Sequence, residues 1–229
     1  MINYCIIPAR RNSQRIKNKN SKIFCGKPII CWPIIAAKKS KKFDKIFVFT
    51  NDPLVEKIFI KDDKVVVLKR SEKLSKHSTP ILASVNEAIK MINKKYPKPD
   101  NICYILATAA LINEVDIKKS CNIFVQSNKN FCFSITNYHY PIQRAISLKN
   151  NRINLWNPKF RNSRSQDLKE MYHDAGQFYW GKTNAFIKNK NMFSNETIPY
   201  QIPSYRTMDI DTKTDWKYAI LKFKILKKI

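Results

Sequence analysis

The chain has 229 residues and a formal net charge of +26, and 44% of its residues are hydrophobic. That hydrophobic content excludes a chain that is disordered throughout, and the apolar runs are too short to span a bilayer. Lysine is spread over every segment, so we attribute most of the charge to a lysine-rich surface and a minor part to a phosphate-bearing ligand.

Short β-branched runs alternate with segments of helical spacing in the first half of the chain. This alternation predicts an α/β fold with a mostly parallel sheet and helices on both faces. Pro28, Pro53 and Pro80 each stand where a first-turn proline is expected, whereas Pro33 predicts a kink or a helix that becomes regular only near Trp32. The predicted strands are residues 4–7, 45–50, 64–68, 101–106 and 131–136, and the predicted helices are residues 28–40, 53–60, 80–95 and 114–127.

The second half of the chain has a different texture, with short strands and a polar segment that we interpret as a loop or a loosely packed arm. The predicted elements are strands at 145–148 and 152–156 around a turn, the polar segment at 160–172, a strand at 177–180, a short helix at 183–188 and a C-terminal helix at 212–226. The apolar members predicted for the last helix are Trp216, Tyr218, Ala219, Leu221, Ile225 and Leu226.

Six cysteines are scattered along the chain without a Cys-x-x-Cys pair, and several lie inside apolar runs. In a chain of this size the pattern indicates buried, reduced thiols rather than a disulfide or zinc framework. The N-terminal segment has neither the basic start nor the small-residue cleavage site of a signal peptide. We therefore predict a cytoplasmic protein.

The loop after the first predicted strand is strongly basic. It carries Arg10, Arg11, Arg15, Lys17 and Lys19. A parallel sheet binds ligands beyond the carboxyl ends of its strands, and successive backbone amides with fixed cations can hold a polyphosphate. The alternative is a solvated basic loop in a lysine-rich protein, and composition alone favours that alternative.

Asp209 and Asp211 form a closely spaced acidic pair in a chain with few acidic residues. On an extended strand, residues two apart project from one face, and two carboxylates on one face suit an Mg²⁺ ion that also contacts phosphates. In the alternative interpretation, Asp211 or Thr212 caps the last helix. The two roles are compatible.

The basic loop also resembles a family signature. Residues 7–16 read Ile-Pro-Ala-Arg-Arg-Asn-Ser-Gln-Arg-Ile, similar to the Ile-Pro-Ala-Arg-Gly-Gly-Ser-Lys-Arg-Ile of the sugar-acid cytidylyltransferases, which make CMP-sialic acids. The match continues in order through residues 24–28, 49–52 and 208–215 and covers nearly the whole chain. The sequence departs from the family pattern at Arg11 and Asn12, which replace Gly-Gly, at Gln14, which replaces lysine, and at Ala110, which replaces proline.

One subgroup of the family matches best. Residues 107–109, 141–145, 162–168 and 172–181 resemble the corresponding segments of pseudaminic acid cytidylyltransferases. The resemblance implies transfer of CMP from CTP to a nonulosonic acid, most closely pseudaminic acid, for surface glycan or flagellin glycosylation. Pyrophosphate would be released, and Mg²⁺ would be the cofactor, which Mn²⁺ can replace. The alternatives are a cytidylyltransferase for N-acetylneuraminic acid, legionaminic acid or Kdo and, more remotely, a basic nucleic-acid-binding protein.

The resemblance also implies an architecture. Residues 1–229 would form a single cytidylyltransferase domain with the Rossmann-like nucleotide-diphospho-sugar transferase fold. Residues 136–172 would form a protruding arm that takes part in dimerisation and substrate binding. We expect a homodimer, no specific nucleic-acid partner and no membrane association. The aromatic residues that favour contacts between subunits on this polar segment are Tyr138, Tyr140, Trp156 and Phe160.

Individual residues receive roles from the same resemblance. Arg10 and Lys19 would hold the triphosphate, and Asn20 and Arg70 would contact the cytosine; the alternatives are a surface cation for Arg70 and a turn cap for Asn20. The assignments are Arg10, Lys19 and Asp211 for catalysis; Ala9, Arg10, Asn12, Ser13, Arg15, Lys19, Asn20 and Arg70 for the nucleotide; Thr108, Gln143, Arg164, Tyr172, Gln177 and Tyr179 for the sugar acid; and Asp209 and Asp211 for the metal.

Overall fold

The computed structural model describes residues 1–11, 13–72 and 79–228. The strands in this part of the chain are β1 (Asn3–Ala9), β2 (Ile23–Phe24), β3 (Lys27–Pro28), β4 (Lys45–Thr50), β5 (Val65–Lys69), β6 (Asn101–Ile105), β7 (Phe131–Asn137), β8 (Ile146–Lys149), β9 (Arg152–Leu155), β10 (Tyr172–Lys182) and β11 (Thr197–Gln201). The helices are α1 (Cys31–Ser40), α2 (Pro53–Phe59), α3 (Ile81–Ile92), α4 (Glu114–Ser127), α5 (Thr183–Ile187) and α6 (Lys213–Lys227).

Within these described residues, seven strands form the central sheet in the order β11-β7-β10-β6-β1-β4-β5. β4 and β6 flank β1 as parallel neighbours, β5 lies parallel to β4, and β11 lies parallel to β7. β10 is the exception, because it runs antiparallel to both β6 and β7. The predicted mostly parallel sheet flanked by helices is therefore confirmed.

Both faces of the sheet are covered. Cys5 and Ile7 of β1 point into a core that α1 and α4 complete, while Tyr4 and Ile6 point into a second core under α3 and α5. All four side chains are at most 2% exposed. Burial on both faces explains why the strand is a continuous apolar run instead of an alternation of apolar and polar residues.

The predicted start of α1 is wrong. Pro28 lies in the short β2–β3 hairpin, paired with Ile23, and the helix begins at Cys31. Pro33 therefore stands in the first turn, where backbone N–H groups have no partner within the helix, and its missing N–H leaves no helical hydrogen bond unmade.

The other two prolines lie close to their predicted places. Pro53 opens α2, and the Asp52 carboxylate caps that helix by accepting a hydrogen bond from Leu54 N. Pro80 stands one residue before α3. The predicted bounds of β4 and α4 agree with the structure residue for residue.

Helix α6 covers a small third core beside the basic loop. Trp216, Ala219 and Phe223 are buried, and the two aromatic rings pack on Phe24 and Trp32. Residues three and four apart share a helix face, and this helix offers only one face to the core. Phe223 was missing from the predicted apolar set, and three members of that set lie on the exposed face instead: Tyr218, Leu221 and Ile225.

The segment between β7 and β10 contains the β8–β9 hairpin, close to the two predicted strands. Asn150 and Asn151 have φ angles of 50° and 59°, which fits a two-residue type I′ turn. Leu148, Ile153 and Trp156 are 72%, 68% and 77% exposed. The role of residues 136–172 as a dimerisation arm stays a prediction.

Two features of the sheet were not predicted. β10 spans Tyr172–Lys182 and is longer than the predicted residues 177–180. It pairs with β7 on both sides of a register shift between Asp174 and Tyr179, where Gly176 has φ +60°. β11 was missed altogether, because Pro199 weakens the strand pattern. The position is compatible with proline because β11 lies at the edge of the sheet.

The six cysteines are free thiols, and burial raises the pKa of the four most buried ones. No helix in the described part of the chain has both the length and the apolar character needed to cross a membrane.

Candidate functional site

A cavity of about 330 Å³ opens beyond the carboxyl ends of β1, β5 and β6. The loop after β1, the residue after β5, the start of α3, the turn after β6 and the segment before α6 all contribute to its wall. This is the position at which a parallel sheet binds ligands. The lining residues are Pro8, Arg10, Ser13, Lys19, Asn20, Arg70, Thr79, Ser84, Tyr104, Leu106, Ala107, Thr108, Asp209 and Asp211.

The basic loop is held by side chains from two directions. Asn20 Nδ2 donates to the carbonyl oxygen of Arg10 at 3.0 Å, and Asn51 Oδ1 accepts from the backbone N–H of Arg11 at 2.9 Å. Arg11 is not among the residues with positive φ, so it has no need of the glycine found in the family signature. Asn12 lies outside the described residues.

Two predicted nucleotide-binding residues do not line the cavity. Ala9 is fully buried in β1, where its carbonyl oxygen accepts a hydrogen bond from Thr50 Oγ1 at 2.5 Å. Arg15 points to the C-terminal segment instead, with Nη2 at 2.9 Å from Asp211 Oδ2. Arg10, Ser13, Lys19 and Asn20 do line the cavity.

Asp211 is the carboxylate that joins the loop to the C-terminal segment. Besides Arg15, it has Lys19 as a partner, with Nζ at 3.4 Å from Oδ1. Lys19 Nζ also donates to the carbonyl oxygen of Ile210 at 2.6 Å. Two cations of the basic loop therefore converge on one acidic side chain.

The capping alternative for Asp211 is resolved by the residue beside it. Thr212 is the N-cap of α6, and Asp215 completes a reciprocal capping box with it. The Asp211 side chain takes no part in this cap and faces the cavity. It is thus available to a ligand without loss of the helix start.

Asp209 and Asp211 share the cavity although they are not on a strand, so the same-face argument from the sequence does not apply. Asp209 is exposed to solvent. Its pKa is nevertheless raised, first by partial desolvation at the cavity and then by the nearby Asp211 carboxylate. Two carboxylates that repel each other fit a divalent cation, and Mg²⁺ commonly takes one or two protein carboxylates together with substrate phosphates. Among the described residues, no three His, Cys, Asp or Glu side chains are grouped to hold a metal by themselves.

Arg70 is a buried cation in the lining of the cavity, not a surface residue. It is 7% exposed, its guanidinium lies 5.6 Å from the Phe49 ring centre, and Nη2 donates to Ser84 Oγ at 2.9 Å. Burial lowers the pKa of Arg70, and the nearby Tyr104 opposes this effect. Sequence reasoning missed Ser84; the signal was a serine between Ala83 and Val85 near the start of the predicted helix.

The predicted sugar-binding residues divide into two groups. Thr108 lines the cavity. Gln177 and Tyr179 are buried in β10 but do not line it; Gln177 Nε2 donates to the carbonyl oxygen of Ala175 at 2.9 Å, and the Tyr179 hydroxyl donates to Asp174 Oδ2 at 2.7 Å.

The remaining three lie on or next to the segment between β7 and β10, away from the cavity lining. The Tyr172 hydroxyl donates to Glu170 at 2.6 Å, and Gln143 Nε2 donates to the carbonyl oxygen of Lys169 at 2.7 Å. Arg164 pairs with Asp167 at 2.8 Å and is exposed. Within one chain, the described structure does not bring these side chains to the cavity.

Comparison with known proteins gives consistent results. A protein-family model described as cytidylyltransferase matches residues 4–227. A pseudaminic acid cytidylyltransferase of Campylobacter jejuni subsp. jejuni serotype O:23/36 (strain 81-176) is 35% identical over 226 residues, which is 98% of this chain and 97% of that protein. An N-acylneuraminate cytidylyltransferase of Streptococcus agalactiae serotype III (strain NEM316) is 26% identical over 94% of this chain and 52% of that protein.

The fold has a counterpart among solved structures. A CMP:2-keto-3-deoxy-manno-octonic acid synthetase complexed with CTP superposes with a TM-score of 0.70 at 13% identity, over 100% of both chains. At that identity the likeness shows the fold alone, and it confirms the predicted nucleotide-diphospho-sugar transferase fold.

Proposed function

The chain belongs to the cytidylyltransferase family, and from that premise we propose that it transfers CMP from CTP to pseudaminic acid with release of pyrophosphate. It is a nucleotidyltransferase that uses CTP. The observation that carries the proposal is the cavity in which Arg10, Lys19, Arg70, Asp209 and Asp211 meet. It combines cations for a triphosphate with two carboxylates for a metal.

Arg10, Ser13 and Lys19 line the cavity, which supports a role for Arg10 and Lys19 in holding the triphosphate and for Ser13 in supporting the loop. The reaction is attack by the anomeric hydroxyl of the sugar acid on the α-phosphate, and negative charge develops on the leaving pyrophosphate. Fixed cations and backbone N–H groups stabilise that charge. Their contribution depends on a rigid loop, which Asn20 and Asn51 hold through the backbone of Arg10 and Arg11.

Arg70 and Asn20, which also line the cavity, are the candidates for contact with the cytosine. Arg70 is presented from a buried position, so a base bonded to it would be shielded from competing water. Its planar guanidinium has N–H groups in fixed directions, and the carbonyl oxygen and ring nitrogen of cytosine can accept hydrogen bonds from them.

Asp209 and Asp211 would hold Mg²⁺, for which Mn²⁺ is the expected replacement. When bound there, the metal offsets charge on the phosphate oxygens and favours departure of pyrophosphate. Lys19 contacts the backbone beside Asp211 and would hold the phosphates next to the metal.

We also propose a homodimer in which the segment between β7 and β10 reaches the cavity of the other subunit. Gln143 and Arg164 lie on this segment and do not line the cavity of their own chain. The segment exposes large apolar side chains, including Tyr140 at 84% and Trp156 at 77%. A second copy would bury them and supply polar side chains to the sugar acid.

The direct test measures pyrophosphate release from CTP with each of four sugar acids: pseudaminic acid, N-acetylneuraminic acid, legionaminic acid and Kdo. Pseudaminic acid should give the highest kcat/KM, because a site built to satisfy specific polar groups rejects analogues that lack them. Faster turnover of another acid would correct the substrate and keep the reaction class. Absence of release with every acid, together with thermal stabilisation by an oligonucleotide but not by CTP and Mg²⁺, would contradict the function.

A further inference from the structure

Asp211, one of the two carboxylates assigned to the metal, already has two cationic partners. Arg15 Nη2 lies 2.9 Å from Oδ2, and Lys19 Nζ lies 3.4 Å from Oδ1, so each carboxylate oxygen faces one cation. A divalent ion bound to the same oxygens would stand next to these positive charges, and like charges at contact distance repel. Metal binding should therefore weaken both pairs, and the less firmly held cation should leave first.

The two cations are not held equally. The Lys19 side chain is 18% exposed, and its Nζ donates a second hydrogen bond, of 2.6 Å, to the carbonyl oxygen of Ile210. The Arg15 side chain is 55% exposed, and among the described residues Asp211 is its ion-pair partner. Departure of Arg15 breaks one half-exposed ion pair, which is a weak interaction.

We infer that Arg15 is a placeholder for the metal: it neutralises Asp211 in the nucleotide-free protein and moves to the phosphates of CTP when the metal takes its place. This inference rests on the proposed function, which assigns the metal to Asp211. The guanidinium is suited to the exchange because it binds carboxylate and phosphate oxygens with the same planar geometry.

The exchange balances charge. A metal–triphosphate complex keeps a net negative charge, which the released guanidinium offsets. A metal ion without nucleotide brings only positive charge, and the carboxylate that stays near the displaced guanidinium, Asp215, already accepts hydrogen bonds from two backbone N–H groups. The free protein should therefore bind the metal weakly, and metal and CTP should bind as a complex rather than metal first.

The experiment measures Mn²⁺ binding to the nucleotide-free protein from the electron paramagnetic resonance signal of free Mn²⁺. It compares wild type, Arg15→Gln and the matched control Arg11→Gln, which removes the same charge from an exposed position on the same loop. Arg15→Gln should tighten Mn²⁺ binding about threefold to tenfold, the range for one unit charge removed from contact at a half-exposed site. Arg11→Gln should change it by less than about twofold, because salt screens a charge that is not in contact.

A second measurement separates this role from a merely structural one. In Arg15→Gln, the affinity for CTP with Mg²⁺ should fall while the affinity for Mn²⁺ alone rises, whereas a distorted site would weaken both. Equal Mn²⁺ affinity in Arg15→Gln and Arg11→Gln, or weaker binding in Arg15→Gln, would overturn the inference.

Asp211→Asn distinguishes failure of the inference from failure of the metal assignment. Suppose that Asp211→Asn loses Mn²⁺ binding while the two arginine variants bind Mn²⁺ equally. The metal assignment would then be supported, and only the placeholder role of Arg15 would be contradicted. Unchanged Mn²⁺ binding in Asp211→Asn would show that the metal is elsewhere, and the inference would fall with the assignment.

Discussion

Thr212 and Asp215 cap helix α6 reciprocally: the backbone N–H of Asp215 donates to Thr212 Oγ1 at 3.1 Å, and the backbone N–H of Thr212 donates to Asp215 Oδ2 at 2.7 Å. Asp215 Oδ2 also accepts from the backbone N–H of Asp211 at 3.0 Å. The helix start is therefore secured by two side chains, and the neighbouring Asp211 carboxylate is left to face the cavity.

Because Thr212 and Asp215 cap the helix and Asp211 does not, the structure predicts the outcome of Asp211→Asn. The variant keeps the shape of the side chain but removes a negative ligand, so turnover should fall on the order of 10²-fold or more. The unfolding temperature should change little, because the lost pairs with Arg15 and Lys19 are partly exposed and the cap is intact. Steady-state pyrophosphate release and a thermal melt measure the two effects.

Asp215→Ala is the matched control, and it should show the reverse pattern. Loss of the capping box should cost about 1 kcal/mol of folding free energy, while turnover of the folded fraction stays much closer to wild type. Early melting with normal turnover in Asp211→Asn would instead identify Asp211 as a structural residue.

A buried ion pair between α4 and the segment before α6 should be important for stability. Arg206 Nη2 lies 2.7 Å from Asp116 Oδ1, and the Asp116 side chain is 4% exposed. Arg206→Met should lower the free energy of unfolding by about 3–5 kcal/mol, because it leaves a buried carboxylate without its cation. Urea denaturation measures the loss, and adding Asp116→Asn to the same chain should recover part of it. If Asp116→Asn lowered the free energy of unfolding further, this account would be contradicted.

Ser84 should act as a positioning residue for Arg70. Removing its hydroxyl by Ser84→Ala takes a hydrogen bond from a buried cation, worth about 1–2 kcal/mol, which corresponds to a rise of about fivefold to thirtyfold in the KM for CTP. The kcat should change less, and discrimination of CTP against UTP should fall. The exposed neighbour Lys69 supplies the control, since Lys69→Ala should leave both quantities near wild type. A lower kcat with unchanged KM would place Ser84 in the chemical step instead.

The homodimer proposal predicts different results for two equally exposed apolar residues. Trp156, just after the β8–β9 hairpin, and Ile225, on α6, are both 77% exposed. Trp156→Glu should convert the dimer to a monomer in light scattering without lowering the unfolding temperature of the monomer, because a charge cannot be buried cheaply in an interface. Ile225→Glu should remain dimeric. If the wild-type protein were monomeric in light scattering at micromolar concentration, the homodimer proposal would be contradicted.

Mixing two inactive variants tests whether the arm of one subunit completes the cavity of the other. Asp211→Asn and Arg164→Ala should each turn over poorly as homodimers. If Arg164 acts across the dimer, a mixed dimer regains one intact site, and a fully exchanged equal mixture should recover about a quarter of wild-type activity. If Arg164 acts within its own chain, no mixed dimer has an intact site and activity stays low.

Several elements could be predicted because their pattern is local. The strand at 45–50 and the helix at 114–127 were predicted with their observed bounds, since a β-branched run and an apolar spacing near three and four specify them directly. Asn113 caps that helix by accepting a hydrogen bond from Asp116 N. The basic loop and the Asp209–Asp211 pair were likewise visible as local motifs, and the cavity brings them together.

The sequence by itself determined the alternation of strands and helices, the family and the residues that form the cavity loop, because each depends on neighbouring positions along the chain. Only the tertiary structure decided that Arg70 is buried, that Ser84 bonds to it, and that α6 turns Phe223 inward and Ile225 outward. It also decided that Arg15 and Lys19 converge on Asp211. Burial and charge pairing are properties of packed elements, so residues that are remote in sequence acquire partners only when the sheet assembles and sets their helices and loops side by side.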